Sequence, residues 1–214
     1  MSLYAVIDTE TTGLSPNYNH RVLEIAVVLV NEVGHLVDEW DTLINPQRDV
    51  EATGIHGITD ADVSNAPTFA QVANKISSLL AGRVPVAHNL SFDASFLMAE
   101  FAHLGVKISL NSTNGLCTMR MASRYLPAGR RNLESCCRTI GYRIDSAHAA
   151  LHDARATANL LSHYIRTDND FNSSWADVIS KAQQQSWPNI PLIDSTDTRR
   201  LTRQQASAIA DRAI

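Results

Sequence analysis

The stretch Leu3–Gly13, LYAVIDTETTG, decides how this chain is read. Leu3, Tyr4, Ala5, Val6 and Ile7 form an apolar run that reads as a short buried strand, and the run ends on Asp8. Side chains two apart on a strand share a face, so Asp8 and Glu10 project together if the extended backbone continues through Thr9. Adjacent carboxylates repel. A buried strand ending in such a pair loses stability unless a cation neutralises the charges or one proton stays bound. An isolated Asp-x-Glu is often only a polar strand end facing solvent, so the rest of the chain has to decide between the readings.

Residues 22–33 (VLEIAVVLVNEV) form a long β-branched apolar run, and residues 35–44 (HLVDEWDTLI) alternate apolar with polar side chains. With Asn31, Glu32 and Gly34 supplying turn chemistry, the first three strands are expected to form an antiparallel meander. The polar residues 15–21 read as a mobile loop. Residues 51–62 (EATGIHGITDAD) read as a second loop, in which Gly54 and Gly57 permit tight turns around His56. Residues 67–80 place Phe69, Val72, Ala73, Ile76, Leu79 and Leu80 at helical spacing, with Pro67 at the first helical position. A short strand at 84–87 leads into His88-Asn89-Leu90-Ser91-Phe92-Asp93. Asn89 or Ser91 can cap the helix that follows, whose apolar face carries Phe92, Phe96, Leu97, Phe101 and Leu104 before Gly105 stops it. Residues 116–119 supply a fifth strand.

At 214 residues and 44% hydrophobic composition, the chain has room for one sizeable domain with a real core plus an appendage. No apolar run approaches the roughly 18 residues of a membrane span, and no charged-then-apolar leader opens the sequence, so a cytoplasmic protein is expected. Cys117, Cys136 and Cys137 lack zinc-ligand spacing and read as reduced, packed thiols. The net charge of −4 argues against broad non-specific binding to nucleic acid. Charge is unevenly placed, however. Residues 116–144 carry Arg120, Arg124, Arg130, Arg131, Arg138 and Arg143 against Glu134 alone, a local balance of +5.

Asp93 falls in the first turn of its helix, a place where the helix dipole alone favours an acid. Residues 146–164 (SAHAALHDARATANLLSHY) form a strong Ala/Leu-rich helix, with His148 at or just before its start and Asp153 in its early turns. Five residues is not a facing distance within a helix. His148 is therefore expected on a loop folding back over the site, with Asp153 fixed on the helix. His152 reads as an exposed helical residue.

Asp8-Thr9-Glu10-Thr11-Thr12-Gly13, then His88-Asn89 with Phe92-Asp93, then His148 followed five residues later by Asp153, together resemble the DEDDh exonucleases, the family of bacterial proofreading subunits. The resemblance runs from Leu3 to Tyr164, with all four acids and the histidine in order. It implies an α/β, ribonuclease H-like fold: a mixed five-stranded sheet, three strands antiparallel, flanked by helices. The strands and helices read above agree. It also implies that Glu51 and His56 meet the terminal 3′-hydroxyl and phosphate of a bound strand, and that Asn132-Leu133 opens a late helix.

Phosphodiester hydrolysis needs charge stabilised on the attacking, leaving and non-bridging oxygens, which two divalent ions roughly 4 Å apart supply. Oxygen-only ligands favour Mg²⁺ or Mn²⁺. Asp8 is expected to bridge the two ions, Glu10 and Asp153 to complete the tighter site, and Asp93 to hold the second. An unperturbed imidazole titrates at about pH 6.5, close to working pH, which makes a histidine the candidate base, and His148 is the expected general base. Thr11, Thr12 and Gly13 follow the first acids, where Gly13 permits close backbone approach, Leu14 can wedge against the terminal base and Phe92 can stack on it. Asn89 is open between a substrate contact and a helix cap. The expected reaction removes 5′-mononucleotides from single-stranded DNA 3′ ends, with a DNA polymerase or a further C-terminal domain as partner. The alternatives are RNA 3′-end trimming and a mainly binding role beside a polymerase, because contacts to a 2′-hydroxyl are not legible in motif spacing.

The resemblance leaves an exonuclease domain at 1–166 and a C-terminal appendage at 167–214. Ser173 or Ser174 can cap a helix with Trp175, Val178, Ile179 and Ala182 on one stripe, ended by Trp187-Pro188, and residues 189–198 read as an extended connector. Thr202 to Gln205 resembles a capping box for another helix, whose apolar pattern of Ala206, Ile209, Ala210 and Ala213 is still running at Ile214. That stop suggests a longer native protein or a helix that docks elsewhere. The appendage is expected either to serve attachment and be dispensable for hydrolysis, or to pack on the exonuclease domain.

Overall fold

The structure, a computed structural model, describes residues 2–144, 148–190 and 200–210. Five strands form one sheet in the order β3-β2-β1-β4-β5: β1 (Ser2–Thr11), β2 (Val22–Asn31), β3 (Leu36–Leu43), β4 (Val84–Ala87) and β5 (Leu116–Cys117). The first three pair antiparallel as a meander, while β4 runs parallel to β1 and β5 parallel to β4. This is the expected mixed, ribonuclease H-like sheet.

Short turns α1 (Thr53–His56) and α2 (Asp60–Val63) lie after the meander. They are followed by α3 (Phe69–Leu80), α4 (Leu90–His103), α5 (Thr118–Tyr125), α6 (Leu133–Thr139) and α7 (Ala150–Thr167). β1 is central because both its faces are apolar. Tyr4 and Val6 pack into a core with Ala154, Ala158 and Leu161 of α7, whereas Ala5 and Ile7 pack with Phe69 and Ile76 of α3 and Phe96 and Phe101 of α4. The strand's period of two then puts Asp8 and Glu10 on the α7 face, just beyond the apolar core. All three cysteines are buried and unbridged.

Several local expectations are corrected. Residues 51–62 hold two helical turns rather than a plain loop, the second closed by a reciprocal Thr59–Asp62 capping box. Pro67 is not the first residue of its helix: Thr68 is the cap, its N–H donating to Gln71 Oε1 at 2.8 Å. The polar residues 15–21 contain a 3₁₀ turn, Pro16–Tyr18, capped by Ser15. Asn132 caps α6 through the Ser135 N–H, and α7 begins after His148; Ser146 lies outside the described residues.

After α7 come α8 (Phe171–Ser174), α9 (Ala176–Gln184) and α10 (Arg203–Ala210). Helix formation here starts at Phe171, not at Ser173 or Ser174, because Phe171 is drawn into the core beside Tyr4 and Tyr125, at ring distances of 6.3 and 5.8 Å. Trp175 forms the joint to α9 and donates its indole N–H to Tyr125 Oη at 3.1 Å. Trp187 meets Phe101 edge-on, and Asn74 brackets both backbone groups of Ile190. Most of the connector at 189–198 lies outside the described residues, as do Ala213 and the side chains of Ile209 and Ala210. From Arg200 the chain lies against the meander: Leu43 N–H donates to the Leu201 carbonyl at 2.8 Å, and Ala206 is buried with Leu23, Leu43, Ile58 and Val63. Thr202 and Gln205 form the expected capping box. The described part of the appendage thus packs on the rest of the chain. Among the described residues no helix is long and apolar enough to cross a membrane.

Candidate active site

Three elements bring the carboxylates together. β1 supplies Asp8 and Glu10, while α4 and α7 supply Asp93 and Asp153, each in a first turn. Thr9, on the other face of β1, donates its hydroxyl to Asp93 Oδ1 at 2.9 Å and so ties α4 to the strand end. His148 stands just before α7 in the left-handed region, at φ +64°, with its backbone N–H on Asp153 Oδ2 at 3.1 Å. The ligand atoms of Glu10, His148 and Asp153 all lie within 4.8 Å of one another. Asp8 and Asp93 stand outside that triplet but share its field.

Burial and mutual repulsion raise the proton affinity of this cluster. Asp8 is held well above the usual carboxylate range by burial, then by Asp93, Asp153, Glu10 and Glu24. Burial and the neighbouring Glu24 push Glu10 up to about 8. Burial also lifts Asp93, against the Thr9 hydrogen bond, and Asp153, against the His148 N–H. Oxygen donors that hold protons so firmly are short of positive charge. The set fits hard divalent cations, which bind carboxylate oxygens in their deprotonated form.

Glu24 was not singled out from the sequence. It is 2% exposed, faces Glu10 across the β1–β2 ladder, and accepts the Ala150 N–H at 2.9 Å and the Arg203 guanidinium at 2.7 Å. Its signal was an acid inside the otherwise apolar run VLEIAVVLV.

The residues expected at the substrate are placed unequally. Thr11 and Thr12 spend their hydroxyls locally, Thr11 on the Gly13 carbonyl at 2.7 Å and Thr12 on the Arg21 N–H at 3.0 Å. A Cβ on Gly13 would come within 2.4 Å of the His20 ring, so it is His20 that packs closely over this glycine. Leu14 is 84% exposed beside this turn. Phe92 is half-buried against Phe96 at a ring distance of 5.0 Å. Asn89 occupies the cap position of α4, yet its side chain makes no cap bond and instead accepts the Ser91 hydroxyl at 3.0 Å. Glu51 is exposed and pairs with Arg48. His56 is 4% exposed, and its ring nitrogens are engaged with the Glu51 carbonyl and the Ile58 N–H, both at 3.0 Å. Its ring shapes the loop that carries Glu51. His88 is likewise structural, spanning Thr118 Oγ1 and the Arg131 carbonyl. In the arginine-rich stretch, Arg124 and Arg138 are paired with Asp168 and Glu134.

Residues 5–161 match the model of the RNase T exonuclease family, and the chain belongs to that family. More narrowly, it is a 3′-to-5′ exonuclease of the epsilon type. It is 34% identical over 164 residues to DNA polymerase III subunit epsilon of Buchnera aphidicola subsp. Schizaphis graminum, an alignment covering 73% of this chain and 70% of that one. It is also 34% identical over 167 residues to DNA polymerase III subunit epsilon of Escherichia coli, covering 73% and 67%. Among solved structures, exonuclease X in complex with 5′ overhanging duplex DNA matches with a TM-score of 0.66 at 28% identity, over 83% of this chain and 99% of that one. The nuclease domain of 3′hExo, a DEDDh family member bound to rAMP, shares the fold with a TM-score of 0.66 at 20% identity, covering 77% and 92%.

Proposed function

We propose that this exonuclease degrades single-stranded DNA from the 3′ end, one 5′-mononucleotide per cut, with Asp8, Glu10, Asp93 and Asp153 holding two Mg²⁺ or Mn²⁺ ions and His148 acting as general base. The observation that carries the reading is the meeting of Glu10, His148 and Asp153 within 4.8 Å at the end of the strand that also bears Asp8. Two such ions, when bound, supply positive charge to the attacking, leaving and non-bridging oxygens of the scissile phosphate. Asp8 is near enough to Asp93, Asp153 and Glu10 to feel the charge of all three, which suits a shared ligand. The exposed His148 ring can take a proton from the attacking water and return it to solvent. Leu14, Phe92 and Asn89 offer surface to the terminal nucleotide beside the Thr11–Gly13 turn, and Glu51 lies on the loop shaped by His56.

DNA is favoured as substrate because the relatives at 34% identity are named as subunits of a DNA polymerase, which also supports a polymerase partner and a proofreading setting. All five proposed site residues lie within residues 1–166, which we take as the exonuclease domain, with residues 167–214 as its appendage. Matched DNA and RNA oligonucleotides, incubated with the purified chain and Mg²⁺, test the substrate. Faster release of 5′-mononucleotides from DNA is expected, and equal or faster release from RNA would overturn the preference.

A further inference from the structure

Arg203, at the start of α10 and well past the residues that match the family, reaches into the active-site turn. Its Nη2 donates to the His148 carbonyl at 2.9 Å and to Glu24 Oε2 at 2.7 Å, its Nε lies 3.0 Å from both Glu24 oxygens, and its Nη1 donates to the His56 carbonyl at 2.5 Å. Glu24 in turn accepts the Ala150 N–H. The turn from His148 to Ala150 is therefore gripped at three points: its first N–H by Asp153, its first carbonyl by Arg203, and its last N–H by Glu24. This matters because His148 has φ +64°, a region that costs a non-glycine residue free energy and persists only where surrounding bonds over-determine it. Arg203 is itself fixed. Arg200 pairs with Asp41, Leu201 bonds the edge of β3 through Thr42 and Leu43, and Ala206 is buried. A planar guanidinium is suited to this task, since one fork serves a carboxylate and two carbonyls at fixed angles.

We propose that Arg203 is a positioning residue for His148, so that the C-terminal segment completes the active site rather than merely covering it. The inference rests on the reading of His148 as general base. A side chain held in a strained turn samples other backbone states once a grip is released, and displacements near 1 Å can lower turnover by about 10²-fold.

The test uses the full chain with Mg²⁺ and a short single-stranded DNA oligonucleotide. Arg203→Ala is expected to lower kcat by about 10- to 100-fold with KM within about threefold, and guanidinium ion at low millimolar concentration should restore part of the rate in this variant alone. The double variant Arg203→Ala/His148→Ala should be no slower than His148→Ala, because both act through one group. Arg203→Lys keeps the charge but not the fork and should stay slow, and it serves in place of Arg203→Ala if that variant does not fold. Wild-type turnover in a folded Arg203→Ala or Arg203→Lys variant, while His148→Ala is slow, overturns the positioning role. Wild-type turnover in His148→Ala instead overturns the general-base reading beneath it. Losses that multiply in the double variant assign Arg203 a separate effect and reject the coupling.

Discussion

Asp8 sits where burial and four neighbouring carboxylates all oppose its ionisation, and that gives the site a thermodynamic signature separable from catalysis. Asp8, Glu10, Asp93 and Asp153 bind protons more tightly in the folded chain than ordinary carboxylates do, so the native state holds more protons than the unfolded one. Their contribution to the slope of unfolding free energy against pH is then negative. The contribution of these four groups to metal-free stability should be fully present below the unfolded carboxylate range, near pH 4, and be lost as pH rises toward about 8, where Glu10 ionises, against the opposite contribution of His56, His88 and His163, whose proton affinity burial lowers. Urea midpoints in EDTA between pH 5 and 8.5, compared with those of Asp8→Asn, check this: the wild-type midpoint should fall relative to the variant's as pH rises, and a difference that does not change with pH contradicts it. Asp8→Asn should abolish hydrolysis yet raise the metal-free midpoint at pH 8, because one repelling charge is gone. His148→Ala should slow hydrolysis by about 10² to 10⁴, the usual contribution of a general base, and remove its limb from the pH-rate profile. At this scale the sequence was legible wherever a side chain stood within a recognisable motif: Asp8, Glu10, Asp93, His148 and Asp153 all belong to one neighbourhood. It gave no sign of the burial of His56, whose loop position did not hint that both ring nitrogens would be hydrogen-bonded within the chain. It was silent on Arg203, whose partners lie 55 and 179 residues away in the chain.

Among the elements, those with enough residues to show a period were legible and those without were not. β1, β2 and α7 carry their apolar faces over 10, 10 and 18 residues, so strand and helix spacing could be told apart. α1 and α2 have four residues each, about one turn, and nothing in such a span distinguishes a helical turn from a loop. α8 hid for a related reason. Its aromatic residue is not on an amphipathic stripe but alone, drawn into a pocket built by Tyr4, Tyr125 and Tyr164 from three other elements. Phe171 is 1% exposed, so Phe171→Ala should cost about 3–5 kcal/mol of folding stability, read as a lower urea midpoint of a single transition. A cost below about 1 kcal/mol, or a second transition of its own, would mean that α8 and α9 fold apart from the sheet.

For the molecule as a whole, the appendage has two jobs that different cuts should separate. Residues 171–190 fill core: Phe171 and Ala182 pack beneath Tyr4, Trp187 backs Phe101, and Ile190 is bracketed by Asn74 of α3. Residues 200–206 instead bind the meander's outer edge and the active-site turn, through Arg200 on Asp41, Leu201 on the β3 edge and Arg203 on Glu24 and His148. Stability and turnover therefore need not fall together. A chain ending after Ile190 keeps the buried aromatic set and should remain folded with a single transition, but with the His148 turn released it should hydrolyse a short single-stranded oligonucleotide about 10- to 100-fold more slowly. A chain ending after Arg166 exposes Tyr4 and the α7 face as well, and should lose several kcal/mol of stability on top of that rate, since several large apolar side chains lose their cover at once. Thermal melts and turnover measured on both truncations decide the matter. If the chain ending after Arg166 kept both the melting temperature and the turnover of the full chain, residues beyond the family match would serve attachment alone; if the chain ending after Ile190 kept full turnover, the edge-bound segment would be a surface strap with no hold on His148.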